Sequence, residues 1–65
     1  MSLIVSILEV LASEYPESYT NAQLATCLSA NEPSVRRATR ELYLSGRIDA
    51  TDLGSGFPLR YCAAV

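Results

Sequence analysis

Three arginines that lie close together are the residues of this chain with the clearest chemical potential. Arg36, Arg37 and Arg40 follow Ser34 within a short stretch. On a helix, Arg40 is a neighbour of both other arginines, because it follows them by four and three positions. A guanidinium group is a planar fork of donors that binds a phosphate, a carboxylate or a guanine edge through two hydrogen bonds. The spacing therefore predicts an anion-binding patch.

Catalysis and metal binding have little support in the sequence. The chain has no His and no Lys, so the commonest general base and the commonest neutral metal ligand are both missing. Cys27 and Cys62 lack the spacing of a metal site or a disulfide framework, and they predict reduced thiols in a cytoplasmic protein. The Gly54–Gly56 loop does not lead from a strand into a helix, which argues against a phosphate-binding loop. We therefore expect no enzyme, no metal and no cofactor.

Length and charge restrict the classes of protein that remain. The 65 residues predict a single domain, residues 1–65, with a marginal core. The net charge of −2 argues against a strongly basic nucleic-acid binder, but the charge is unevenly distributed. Residues 1–35 contain four glutamates and no basic residue, whereas residues 36–65 contain five arginines and three acidic residues. This asymmetry points to a partner for the second half.

The first half of the chain predicts two helices. Apolar residues cover most of a helix over residues 2–15, which ends because Pro16 disfavours helical geometry in the residue before it. Residues 17–19 predict a short connector that can contribute one extended rung. A capping box that begins at Thr20 starts the second helix, over about residues 20–29.

The second half predicts a third helix and a β-hairpin. Asn31 is a good N-cap for a helix over about residues 32–45, and Gly46 ends it. Residues 47–63 predict two antiparallel strands joined by a turn that contains two glycines. The expected inward-facing positions of the third helix and the second strand are Val35, Ala38, Leu42, Leu59, Tyr61 and Ala63.

This order of elements resembles the winged helix-turn-helix superfamily of DNA-binding domains. The matching segments are Leu24-Ala25, the turn from Leu28 to Asn31, Val35-Arg36-Arg37-Ala38, Leu42 and Ser45-Gly46-Arg47-Ile48. The resemblance covers nearly the whole chain, and it implies a mainly α fold with a small β-hairpin, the wing. It also implies that the third helix reads the major groove of double-stranded DNA. Chains this short resemble small transcriptional regulators from phages or other mobile elements.

The resemblance and the arginine chemistry together give a set of candidate DNA contacts. These are Ser34, Arg36, Arg37, Arg40, Arg47 and Arg60. A second interpretation of the arginines is a solvated helix face on which Arg37 pairs with Glu41. Glu32 opposes phosphate binding at the start of the third helix, where we expect it to interact with the helix dipole. The alternative is that Glu32 reads the amino group of a cytosine.

The hairpin departs from the DNA-binding pattern. Its turn has no Lys or Arg, and Asp49 and Asp52 would repel phosphates. Tyr43, Leu44 and Phe57 are apolar residues that could contact a protein partner. An alternative function therefore stays open, namely a winged-helix interaction module in a replication or transcription complex, or an inhibitor of a host protein, without DNA binding.

The first helix has a wider apolar arc than two helices and a hairpin are expected to cover. Leu3, Val5 and Val10 flank its inward stripe and predict a homodimer interface that would bring a second set of arginines to the DNA. Glu9 interrupts this apolar run, which is also too short to span a bilayer, so we expect no membrane contact.

Overall fold

The computed structural model describes residues 2–64 of the chain, which form three helices followed by a two-stranded antiparallel hairpin. The elements are α1 (Leu3–Glu14), α2 (Asn21–Leu28), α3 (Glu32–Leu44), β1 (Ile48–Thr51) and β2 (Arg60–Ala63). The predicted bounds of the helices differ from these by one residue at most, and the mainly helical class with a small hairpin is confirmed. The arrangement is compatible with a winged helix-turn-helix.

The predicted caps define where α2 and α3 begin. The Gln23 amide donates to Thr20 Oγ1 at 3.1 Å, and the Thr20 amide donates to Gln23 Oε1 at 2.9 Å. The Asn31 side chain accepts a hydrogen bond from the Ser34 amide at 3.0 Å. Each cap satisfies amides that have no partner inside the helix, so the sequence sets the entry point of both helices.

At the C-terminal ends of α2 and α3 the chain has a residue with a left-handed backbone conformation. Gly46 has a φ of 78°, and the Arg47 amide then donates to the Leu42 carbonyl at 3.0 Å. Ser29 has a φ of 53° at the end of α2, where the Ala30 amide donates to the Ala25 carbonyl at 2.9 Å. The sequence predicted that Gly46 ends α3. At the end of α2, Ser29 has the same left-handed conformation, which carries strain for a serine that a glycine would avoid.

The core lies where the three helices meet the hairpin. The expected inward face of α3 is buried, and small residues, Ala25 and Ala38, lie on the buried sides of α2 and α3. The buried apolar residues are Ile7, Leu11, Leu24, Ala25, Val35, Ala38, Leu42, Ile48 and Tyr61. Thr39 is also fully buried, and its hydroxyl donates to Asn21 Oδ1 at 2.7 Å, which ties α3 to the first turn of α2.

The hairpin attaches to the helices through an extended rung in the connector between α1 and α2. Ile48 pairs with Ala63 across the hairpin. Tyr19 forms an isolated bridge to Tyr61, with N···O distances of 2.8 and 2.7 Å, so the predicted rung is confirmed. Leu59 precedes β2 and is exposed, so the inward face expected of that strand includes Tyr61 but not Leu59.

Candidate nucleic-acid interface

The exposed face of α3 brings the predicted arginines together. Arg36, Arg37 and Arg40 are all exposed, whereas Val35 and the other inward residues of the same helix are buried. Ser34 is half-buried beside the cap, where its amide is bound to Asn31. The helix therefore presents three guanidinium groups to solvent on one surface.

The charges on this face are only partly neutralised within the chain. Arg36 Nη2 lies 3.9 Å from Glu32 Oε1, and this is the only ion pair among residues 2–64. Both side chains are exposed, so the pair is weak and easily exchanged for another anion. Glu32 also lies in the first turn of α3, as predicted. A negative charge at this position interacts favourably with the helix dipole. Arg37 and Glu41 make no ion pair in the part of the chain that the structure describes.

The two remaining candidate arginines lie in different environments. Arg47 is exposed just after α3 ends. Arg60 is half-buried, and its Nε donates to Ser18 Oγ at 2.9 Å while its Nη2 donates to the Ser18 carbonyl at 2.6 Å. These hydrogen bonds hold β2 against the connector between α1 and α2. Arg60 thus makes a structural contact, and it does not belong to the exposed face of α3.

The tip of the hairpin is acidic and apolar. Asp52 Oδ1 accepts a hydrogen bond from the Gly54 amide at 2.9 Å, which folds the loop back on itself. Leu53 and Phe57 are exposed, Phe57 to 64%. Residues 52–59 contain no basic side chain, so this loop has nothing to attract a phosphate.

An open groove of about 560 Å³ lies beside the arginine face. Its walls come from α3, from the start of α2 and from the end of the hairpin loop. Leu44, 70% exposed, and Tyr43 belong to this groove together with Pro58 and Leu59, whereas Phe57 does not line it. Arg36 and Arg40 lie in the same lining. The groove thus combines apolar walls with two guanidinium groups and with the Glu32 carboxylate, which pairs with Arg36.

The predicted dimer residues of α1 are mostly covered within the chain. Leu3 and Val10 are half-buried and pack against the core, and only Val5 is exposed, to 45%. Two helices and a hairpin therefore cover more of α1 than its apolar arc led us to expect. A homodimer through these residues stays a prediction.

One ionisable side chain has a clearly perturbed pKa. Burial raises the pKa of the Tyr19 phenol above its ordinary value of 10.0, and the charges of Glu14, Cys27 and Glu17 add smaller effects in the same direction. The phenol therefore stays neutral to a higher pH than a free tyrosine does.

The two cysteines of the described chain form no disulfide. Cys27 is exposed and Cys62 half-buried, and both are free thiols. Residues 2–64 contain no group of three or more acidic or Cys side chains placed to hold a metal ion. None of their helices has the length and apolar character needed to cross a bilayer.

Comparisons with protein-family models, with curated proteins and with solved structures gave no match. The α3 face and its surroundings are therefore the features of this chain that indicate a function.

Proposed function

We propose that this chain is a sequence-specific DNA-binding protein of winged helix-turn-helix architecture that acts as a small transcriptional regulator. In this assignment α2 and α3 are the helix-turn-helix, α3 is the recognition helix and the hairpin is the wing. The observation that carries the proposal is the α3 face, on which Arg37 and Arg40 are exposed and unpaired within residues 2–64.

The α3 face has the side chains that major-groove recognition requires. Arg37 and Arg40 reach outward from the middle of the helix, where they can bind guanine edges or phosphates bidentately. Arg36 can exchange its long contact with Glu32 for a phosphate at little cost, because that pair is exposed. Ser34 and the first turn of α3 would lie closest to the groove floor.

The proposal predicts a modest electrostatic contribution to affinity. Four exposed arginines, Arg36, Arg37, Arg40 and Arg47, are available for phosphates or bases. If all four contacted phosphates, the logarithm of the binding constant would fall against the logarithm of salt with a slope of about −3.6, and each base contact would make the slope shallower. The acidic wing tip adds nothing to this slope.

Selection from a random pool of duplex oligonucleotides tests the assignment. We expect an enriched motif, and Arg37→Ala and Arg40→Ala should each weaken binding to that motif by about 1–3 kcal/mol. Arg40→Lys is the matched control, because it keeps the charge and loses the fork, so it should retain non-specific binding and lose sequence preference. Unchanged affinity and preference in both alanine variants would show that α3 is not the reading face.

A protein-binding role without DNA is the second candidate, and the exposed apolar residues favour it. Leu44 and Leu59 give the groove beside α3, and Phe57 gives the hairpin loop, more exposed apolar surface than DNA contact needs. Binding to random duplex DNA at low salt separates the two functions. An absence of any binding there would support the protein-binding role.

A further inference from the structure

The groove beside α3 is suited to a protein segment of particular chemistry. Tyr43, Leu44 and Leu59 are exposed apolar side chains in its lining, and they gain nothing from contact with a phosphate backbone. Arg36 and Arg40 lie one helical turn apart in this lining and supply two cations, of which Arg36 is in exposed contact with Glu32 at 3.9 Å. A matching occupant would place an apolar side chain between the walls and carboxylates beside the two arginines.

The end of α1 has this chemistry. Glu14, Tyr15, Pro16 and Glu17 are consecutive and all exposed, Tyr15 to 51%. We call these four residues the acidic corner. In the sequence, an aromatic residue thus has a glutamate on either side of it, and tyrosine is among the residues that most often dominate binding at protein interfaces.

The negative charges of the acidic corner are not neutralised by ion pairs within the described chain, so a cationic partner would bind there favourably. Glu14 lies in the last turn of α1, where the helix dipole is negative and where no basic residue compensates it. Residues 1–35 contain no basic side chain, and neither carboxylate of the corner forms an ion pair with the rest of the described chain. None of residues 14–17 lines the groove of its own chain.

We propose that a second copy of this chain inserts its acidic corner into the groove beside α3. Tyr15 of one copy packs against Leu44 and its apolar neighbours in the other copy, while Glu14 and Glu17 lie beside Arg36 and Arg40. The carboxylate beside Arg36 replaces that residue's exposed 3.9 Å contact with Glu32. The contact is complementary in charge, so salt weakens it. It uses the end of α1 and not the apolar stripe from which the sequence predicted a dimer.

Self-association of this kind would cover the α3 face. Arg40 and Arg36 cannot bind a carboxylate of another copy and DNA at the same time, so association would compete with DNA binding. This consequence rests on the proposed function, whereas the association itself does not. It can therefore be tested in the absence of DNA.

Sedimentation velocity of the purified chain over about 5–500 μM tests the contact. At low salt the average mass should rise above 7.1 kDa with concentration, and at high salt it should return to 7.1 kDa. Arg40→Glu and Glu14→Arg should each weaken association about fivefold or more, because each charge reversal replaces one favourable charge pair with a repulsive one. Glu14→Arg also improves the charge at the end of α1, so unfolding would not explain its effect.

Asp49→Arg is the matched control for Glu14→Arg, because it makes the same charge change at an exposed residue of β1. It should leave association close to that of the wild type.

Mixing the two variants gives the sharpest result. Arg40→Glu keeps an intact corner and Glu14→Arg keeps an intact groove, so an equimolar mixture should associate with close to wild-type affinity although each variant alone does not. A wild-type chain that stays at 7.1 kDa at 500 μM and low salt would overturn the proposal. A mixture no more associated than its components would also overturn it. If both outcomes occurred while DNA binding persisted, only this inference would fail.

Discussion

The hydrogen bond between Thr39 and Asn21 gives a direct test of how α3 is held against α2. Thr39 is fully buried, and its Oγ1 lies 2.7 Å from Asn21 Oδ1 and 3.1 Å from the Arg36 carbonyl. Thr39→Val keeps the shape of the side chain and removes the donor. We expect a loss of about 0.5–1.5 kcal/mol in the free energy of unfolding, the usual net value of one hydrogen bond. In this variant Asn21 Oδ1 loses its hydrogen-bond donor. Because Asn21 is only half-buried, water replaces that donor and limits the loss of stability.

Urea unfolding followed by circular dichroism measures this loss, which corresponds to a fall in Tm of several degrees for a domain of this size. Thr39→Ser is the control, because it keeps the hydroxyl and removes a methyl group that contributes about 0.8 kcal/mol. A double-mutant cycle with Asn21→Ala isolates the pair and should give a coupling of about 1 kcal/mol. Additive effects in that cycle would refute the claim that this bond couples the two helices.

Three further predictions concern the turn, the hairpin and the pH dependence of stability. Ser29→Gly should raise the unfolding free energy by about 0.5–1 kcal/mol in urea titrations, because glycine relieves the left-handed strain at φ 53°. A destabilised glycine variant would contradict that reasoning. Arg60→Ala should cost about 1–3 kcal/mol of stability in the same assay, because it removes both charge-assisted bonds to Ser18, while the salt slope of DNA binding stays unchanged. A shallower salt slope for Arg60→Ala would indicate that Arg60 contacts DNA. The raised pKa of Tyr19 means that the unfolded chain loses this proton first, so stability should fall as pH rises above about 10, and Tyr19→Phe should flatten that fall. An unchanged pH profile of stability in Tyr19→Phe would show that other groups cause the fall in stability at high pH.

Local signals in the sequence predicted most of the fold. Capping residues such as Thr20 and Asn31 fixed the helix starts, because their side chains bond amides only three positions away. Apolar periodicity identified the inward face of α3 in the same way. The exposed position of Arg37 and Arg40 follows from that periodicity, so the candidate interface was also largely predictable.

Contacts between residues far apart in the sequence could not be predicted. The hydrogen bonds of Arg60 join it to Ser18 across 42 positions, so nothing local distinguished this arginine from those on α3. The bond from Thr39 to Asn21 spans 18 positions and depends on how two helices pack. Ser29 likewise gave no signal for a left-handed residue, since glycine is the usual marker.

The salt dependence of DNA binding tests the central claim most directly. Fluorescence anisotropy of a labelled duplex, measured for the wild type and for Arg40→Ala over a series of salt concentrations, gives two slopes. We predict measurable binding at low salt, with a wild-type slope no steeper than about −3.6. Removal of Arg40 should make binding weaker and, where this side chain contacts a phosphate, make the slope shallower by about one. Absence of binding at low salt, or identical binding curves for the two proteins, would contradict a DNA-reading role for α3.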